Sequence, residues 1–329
     1  MRILVTGGAG YIGSHTCVAL LEAGYSVVVV DNLCNSKAEV LKRVEEITGQ
    51  AVEFYRIDVT DETALDLVFQ AHRLDGVIHF AGLKAVGESV QKPLEYYYNN
   101  ILSTIVLAKK CRDYGVKSFV FSSSATVYGE NPSPLVETMA LLPRANPYGE
   151  TKVVSEQVLK DCAAATGDWA VALLRYFNPV GAHQSGLIGE EPSGVPNNLM
   201  PFITQVARGK LKKLLVFGND YPTVDGTGVR DYIHVCDLAE GHVAALKKLE
   251  AGVHIYNLGT GRGTSVLELI KTFEEVNALK LPYEIVKRRP GDIAECYADV
   301  SKAERKLSWQ ARRNVADMCR DAWRFEQTN

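Results

Sequence analysis

Short β-branched and apolar runs alternate with amphipathic stretches over the first 175 residues. Arg2–Thr6, Ser26–Asp31, Val52–Asp58, Gly76–Phe80, Lys117–Ser123 and Trp169–Tyr176 have the composition of strands. Runs such as VVVV at 27–30 and SFVFSS at 118–123 suit strands covered on both faces. Between them Ile12–Ala23, Ala38–Thr48, Glu62–His72, Leu94–Tyr114 and Gly149–Thr166 carry apolar residues at helical spacing, with Gly24 and Gly49 placed as C-terminal stops. Strand and helix in strict alternation predict an α/β fold with a Rossmann-type, doubly wound parallel sheet, because each parallel crossover needs a dozen or more residues.

The texture changes after residue 177. Residues 178–230 are rich in Gly, Pro, Asn and Asp, and only Leu199–Arg208 reads as a helix; long loops of this kind usually carry function. Regular pattern returns with helices over Leu238–Leu249, Val266–Asn277 and Val315–Phe325 and strands at His254–Leu258 and Tyr283–Lys287. The predicted organisation is residues 1–177 as one unit and 178–329 as a smaller mixed α/β unit, with a chain return to the first around 230–260.

Of the 329 residues 47% are hydrophobic, enough for a sizeable core, and 36 basic against 39 acidic side chains leave a net charge of −3. That balance gives no global attraction to nucleic acid or anionic lipid, so any anionic ligand must be held locally. Seven scattered cysteines show no C-x-x-C pair or Cys/His cluster, so no metal site is expected and the thiols suit a reducing compartment. No run approaches the length of a membrane span, and the first apolar stretch is too short for a signal-peptide core. The expectation is a soluble cytoplasmic protein.

Gly7, Gly10 and Gly13 form G-x-x-G-x-x-G between the first strand and the first helix, where Tyr11 and Ile12 open the helix. Residues without Cβ allow a tight turn and close backbone approach to a pyrophosphate, and the helix N-terminus supplies donors to it. Asp31 ends the second strand, 24 residues after Gly7, placed to accept both ribose hydroxyls of an adenosine. A carboxylate there repels a 2′-phosphate, which favours NAD over NADP, although Lys37 lies nearby. Asp58 and Phe80-Ala81-Gly82 also stand at carboxyl ends of strands, where ligands sit in open α/β sheets; Asp58 reads equally well as a turn former.

Tyr148 and Lys152 lie at i and i+4 on one helix face, and Ser124 follows the fifth strand toward the same crevice. A phenol with a pKa near 10 must drop by about 3 to serve as a base at pH 7, worth ~4 kcal/mol, which two close cations in a desolvated cleft can supply. An ammonium and an oxidised nicotinamide are two such cations. Taken alone, Y-x-x-x-K is as well explained by an amphipathic cover residue and a solvated lysine; convergence with the glycine signature and Ser124 favours catalysis.

At this point the chain resembles the extended short-chain dehydrogenase/reductase family, and within it the UDP-glucose 4-epimerase branch. The residues that carry this are TGGAGYIGSH at 6–15, HFAGLKAVGESVQKPLEYY at 79–97, FSSSATVYG at 121–129, NPYGETK at 146–152, LRYFNPVGAH at 174–183, PNNLMP at 196–201, FGNDYPT at 217–223 and DGTGVRDYIHV at 225–235. The resemblance implies that Ser124, Tyr148 and Lys152 are catalytic. It implies an NAD site of Gly7, Gly10, Tyr11, Ile12, Gly13, Asp31, Asn32, Asn35, Ser36, Asp58, Val59, Phe80, Ala81, Gly82, Lys84, Asn99, Tyr148, Lys152 and Phe177. The UDP-hexose falls to Ser124, Tyr148, Asn178, Asn198, Leu199, Phe217, Arg230, Arg289, Asp292 and Cys296. Arg230 and Arg289 are able to clamp a diphosphate, although Lys287-Arg288-Arg289 alone reads equally as a solvated basic corner.

Related dehydratases carry Asp-Glu where this chain has Ala125 and Thr126, so elimination lacks its acid and epimerisation remains. The implied reaction inverts C4 through a transient 4-keto sugar, interconverting UDP-glucose and UDP-galactose in galactose metabolism. Cys296, small where some epimerases have Tyr, leads us to expect use of UDP-GlcNAc and UDP-GalNAc as well. The resemblance also implies a homodimer through helices near 94–114 and 149–166. Against the family pattern, Asn100 is followed by Ile101, Leu102 and Ser103 without the usual Gly, which bears on helix packing. Rival readings are a dehydratase or reductase and a catalytically idle NAD-binding regulator.

Overall fold

The computed structural model describes residues 1–192, 196, 198–289 and 291–329. Strands β1 (Arg2–Thr6), β2 (Ser26–Val30), β3 (Glu53–Tyr55), β4 (Gly76–His79), β5 (Ser118–Ser124) and β6 (Ala170–Tyr176) alternate with helices α1 (Tyr11–Glu22), α2 (Glu39–Thr48), α3 (Glu62–Ala71), α4 (Val86–Gln91), α5 (Pro93–Asp113) and α6 (Pro147–Thr166). A 3-10 turn at Ala125–Tyr128 follows β5. Beyond β6 come β7 (Asn178–Val180), α7 (Leu199–Ala207), β8 (Leu214–Phe217), β9 (Val229–His234), α8 (Val235–Lys247), β10 (Gly252–Leu258), β11 (Gly263–Ser265), α9 (Val266–Asn277), β12 (Tyr283–Val286), β13 (Glu295–Cys296), α10 (Ser301–Leu307) and α11 (Val315–Thr328).

One seven-stranded parallel sheet runs β10-β6-β5-β4-β1-β2-β3. It is the predicted doubly wound sheet. Its inner strands are buried on both faces, one against α1, α2 and α8 and the other against α3, α5 and α6, which is why VVVV and SFVF show no alternation. The strand order reverses between β1 and β4, and the crevice outside their carboxyl ends is where such sheets take ligands. Beyond β6 the chain builds a smaller layer, apart from α8 and β10, which join the large sheet; in it β9 pairs with β7, β11 and β13, and β8 pairs with β12. Helices α7, α9 and α11 cover its core of Ile203, Leu269, Phe273 and Met318. Because β10 lies at the edge of the large sheet, we propose residues 1–177 as the dinucleotide-binding unit, with the chain returning to it around 230–260.

Three local differences from the sequence expectation have clear causes. Strand β3 ends at Tyr55 rather than Asp58, whose carboxylate folds onto the Thr60 amide and makes a turn. Helix α6 starts at Pro147, two residues early, because Asn146 caps it by accepting from the Gly149 amide and Pro147 fits the first helical position. The stretch 178–230 holds β7, β8 and the start of β9 besides α7.

Candidate active site

The glycine loop is built by close approach. Gly7 has φ +72°, and a Cβ there would lie 2.7 Å from the Ala81 amide nitrogen. A Cβ on Gly13 would lie 2.2 Å from the Gly7 carbonyl oxygen. Phe80 and Ala81 both donate from their amides to the Thr6 carbonyl, which draws the end of β4 against this loop. The cradle that only glycine can line fits a dinucleotide pyrophosphate at the start of α1.

Asp31, 7% exposed, ties this loop to the next. Its Oδ2 accepts from the Ala9 amide at 3.1 Å, and its Oδ1 accepts from the Leu33 amide and the Ser36 hydroxyl, both at 2.9 Å. Asn32 donates to Asp58 Oδ2 at 2.8 Å. Burial pushes the Asp58 carboxyl up, but hydrogen bonds from the Thr60 hydroxyl and amide and from Asn32 outweigh it and hold the group below its ordinary range. Val59 turns its side chain into the core, so its backbone is what can meet a ligand, while Ile12 is half-buried against the other core. Tyr11 donates to the Gly181 carbonyl at 2.7 Å, linking the cofactor loop to the second layer. Gly82 lies against Asn100, to which Asn99 also donates.

The Ser-Tyr-Lys group converges at the carboxyl end of β5. Lys152, 6% exposed, donates to the Ser122 carbonyl at 2.7 Å, and its ammonium stands 4.9 Å from the Phe121 ring centre and 5.8 Å from that of Tyr148. Burial pulls Lys152 down to about 8, against an opposing pull from Glu156. Burial pushes the Tyr148 phenol up to about 12, and a hydrogen bond with Ser124 opposes that rise. Ser124 Oγ caps the 3-10 turn, accepting from the Thr126 amide at 3.2 Å and its hydroxyl at 3.0 Å.

A third cluster lies on the second layer. Arg289 stacks 4.6 Å over Phe217 and donates to Asp292 at 3.1 Å, while Arg230 approaches the other oxygen of Asp292 at 3.9 Å. Cys296 on β13 is paired in register with Arg230 on β9 and packs against the small core that contains Phe177 and Ala125. Asn178 opens β7, and Asn198 precedes Leu199 at the start of α7. Asn198 and Lys84 both donate to Glu190 Oε1, at 2.6 and 3.0 Å. Asn35 stands apart, exposed and without a side-chain hydrogen bond to the other candidates. Among the described residues no group of three or more His, Cys, Asp or Glu could hold a metal ion.

Sequence reasoning gave no site role to Asn100, Glu156, Arg175 or Glu190, and Asn100 entered it only through the missing Gly after it. Asn100 is buried and bonds both the amide and carbonyl of Leu83 and the Thr151 hydroxyl, locking the loop after β4 to α6. Glu156 had a visible signal, one turn beyond Lys152 on the same helix face. Glu190 had none, lying in a Gly- and Pro-rich loop.

A glycine cradle beside a Ser-Tyr-Lys group defines a nicotinamide-dependent enzyme acting at a carbon that bears a hydroxyl. The chain belongs to the NAD dependent epimerase/dehydratase family, whose sequence profile matches residues 3–259. It is 60% identical over its whole length to a UDP-glucose 4-epimerase of Bacillus subtilis, covering 98% of that protein. The solved structure of a Bifidobacterium longum UDP-glucose 4-epimerase in complex with NAD+ and UDP superposes with a TM-score of 0.97 at 53% identity, covering 100% of this chain and 99% of that one. A UDP-Glc/GlcNAc 4-epimerase from Campylobacter jejuni superposes with a TM-score of 0.86 at 37% identity, with 100% and 99% covered.

Gly13→Ala should displace the Gly7 carbonyl and weaken NAD retention by at least about 10-fold, since each 1.4 kcal/mol of strain is a factor of ten. Released nucleotide per chain, measured on protein as purified, checks this; full occupancy in the variant would refute the cradle.

Proposed function

We propose that the protein interconverts UDP-glucose and UDP-galactose by inverting the configuration at C4, and so serves galactose metabolism. The observation that carries this reading is the convergence of Ser124, Tyr148 and buried Lys152 at the carboxyl end of β5, beside the glycine cradle. The relatives named above support the substrate. Ala125 and Thr126 support epimerisation over elimination, since neither carries a carboxyl proton.

When bound, NAD accepts the C4 hydride and returns it. The chain's own groups do the rest. Tyr148 takes the 4-hydroxyl proton with Ser124 hydrogen-bonded alongside, and Lys152 stabilises the phenolate from the adjacent turn of α6. Lys152 is an ammonium below about pH 8, so this assistance fades as pH rises through that value. Arg230 and Arg289 hold the diphosphate, and their grip on the nucleotide keeps the keto sugar from escaping while it turns over to present its other face.

Cys296 supports a broader sugar range, because a short side chain at the edge of the core that contains Phe177 leaves room for a 2-acetamido group. The exposed apolar residues Val90, Leu94, Tyr98 and Ile105 on α4 and α5 support a homodimer through α5 and α6. Seven free cysteines suit the reducing cytoplasm, and no helix among the described residues is long and apolar enough to cross a membrane.

Tyr148→Phe should lower UDP-galactose turnover by about 10²–10⁴-fold with its NAD content intact, as loss of a general base does. Full turnover in that variant would end the reading. Cys296→Tyr should keep UDP-galactose activity but lose that on UDP-GalNAc by about 10-fold or more, which parallel assays on the two substrates measure. The double change Leu94→Glu/Tyr98→Glu should elute from gel filtration as a monomer; an unchanged dimer would move the interface elsewhere.

A further inference from the structure

Glu156 lies one turn beyond Lys152 on α6, closed to solvent with a relative exposure of 0%, and faces Arg175 of β6, exposed by 1%. The pair is joined at two points, Arg175 Nε to Oε1 at 2.9 Å and Nη2 to Oε2 at 2.7 Å. Oε1 also accepts from Ser123 Oγ at 2.6 Å, and Oε2 from Lys160 at 3.3 Å. Ser123 separates Ser122, whose carbonyl holds Lys152, from Ser124, the partner of Tyr148. Arg175 precedes Tyr176, whose hydroxyl meets Ser122 Oγ. The far side of the Arg175 guanidinium stands 4.8 Å over the Tyr128 ring, and Tyr128 donates to Asn257 of β10 at 2.6 Å.

We propose that Glu156 is a positioning residue for the reaction: clamped by Ser123 and Arg175, it fixes α6 in register with β5 and β6 and so sets Lys152 and Tyr148 against Ser124. The proposal rests on the functional reading of Tyr148 and Lys152 given above. An apolar contact would allow the helix to roll or slide over the sheet; a two-point charged hydrogen bond fixes both movements. A buried ion pair is weak evidence for stability, since well-packed apolar residues of the same volume often serve as well or better. Register accounts for this one.

The clamp also acts through charge. Burial pushes the Glu156 carboxyl up, but the hydrogen bonds and charge of Arg175 outweigh it and hold the group below the ordinary carboxylate range. Its negative charge opposes the burial that draws Lys152 down. The other groups that act on Lys152 and Tyr148 are His79 of β4, pulled to about 3 by burial, and the phenols Tyr96 of α5 and Tyr176 of β6, both pushed up by burial, while Tyr128 of the 3-10 turn, its phenol also pushed up by burial, and Lys160 of α6 flank the Arg175–Glu156 pair. None of these is an anion at neutral pH.

The test compares Glu156→Gln and Glu156→Gln/Arg175→Met with Tyr148→Phe and the wild-type holoenzyme. Glu156→Gln removes the anion that acts on Lys152 and leaves the Arg175 guanidinium uncompensated, so both limbs of the kcat–pH profile should move to lower pH by about one unit, and kcat should fall at least ~10-fold with KM for UDP-galactose unchanged. The double variant removes both charges, so its profile should return to the wild-type position while kcat stays low. Near-ultraviolet difference titration of Tyr148, read against Tyr148→Phe, should report the Glu156→Gln shift without turnover. A folded Glu156→Gln with unmoved profile and titration overturns the proposal, as does a double variant with wild-type kcat. If Glu156→Gln does not fold, the double variant, which strands no charge, carries the test. Full activity in Tyr148→Phe would instead remove the functional reading beneath it.

Discussion

Desolvation at the carboxyl end of β5 governs this site. The same burial that excludes water pushes Tyr148 up to about 12 and pulls Lys152 down to about 8. Each shift alone moves its group away from the state that proton transfer needs, because a low dielectric disfavours both phenolate and ammonium. What reverses the penalty is pairing: a phenolate forming near an ammonium costs less than either ion formed alone, and the lower the dielectric the stronger that attraction. The Ser122 carbonyl and the Phe121 ring face stabilise the ammonium without neutralising it. In the proposed reaction the site would hold Tyr148 protonated until a further positive charge arrived beside it, which would tie proton removal to an occupied cofactor cradle.

That arrangement needs backbone placed to within fractions of an ångström, and the parallel sheet supplies it. Strands buried on both faces cannot slip without exposing apolar residues, so the carboxyl ends of β1, β4 and β5 stay fixed. The polar groups at those ends are then satisfied by one another. Asp31 joins two loops, Asn100 joins a third to α6, and buried Asp231 on β9 accepts from the amides of Thr260, Gly261 and Ala298, joining the second layer to the loop after β10. Asp31, Asn100 and Asp231 are each matched by several donors or acceptors, and an unmatched buried polar group there would cost about 1–3 kcal/mol.

How much of this was legible depended on the range of the interaction concerned. Gly7, Gly13 and Asp31 could be read because a turn, a close approach and a strand end follow from local spacing. Tyr148, Lys152 and Ser124 could be read because i, i+4 spacing and a strand terminus place them. Strands β7, β11 and β13 could not, since runs of two or three residues have no period and gain stability only from β9, which lies far from them in sequence. Glu190 was likewise invisible: it gathers Lys84 and Asn198, more than a hundred positions apart, from a loop without pattern. The buried role of Arg175 was hidden by its charge, since an arginine in a strand reads as exposed until its carboxylate partner is known.

The second layer is governed by a different balance. Arg230 and Arg289 are already engaged with Asp292, but at the surface, where Arg289 is more than half exposed and the Arg230 contact is 3.9 Å long. An ion pair as open as Arg289–Asp292 is worth about 0–1 kcal/mol, so in the reading proposed above the exchange of the carboxylate for a doubly charged diphosphate would gain more than it loses. The carboxylate still has a use, because without it two neighbouring guanidiniums would repel each other and splay apart. Pairing through Asp292 keeps both forks aimed at one point, and the stack of Arg289 on Phe217 fixes the plane of one of them. In the proposed reaction, firm holding of the nucleotide at this cluster would thus be compatible with the absence, among the described contacts, of a comparable ring of arginines around Tyr148, where a hexose would have to be free to turn.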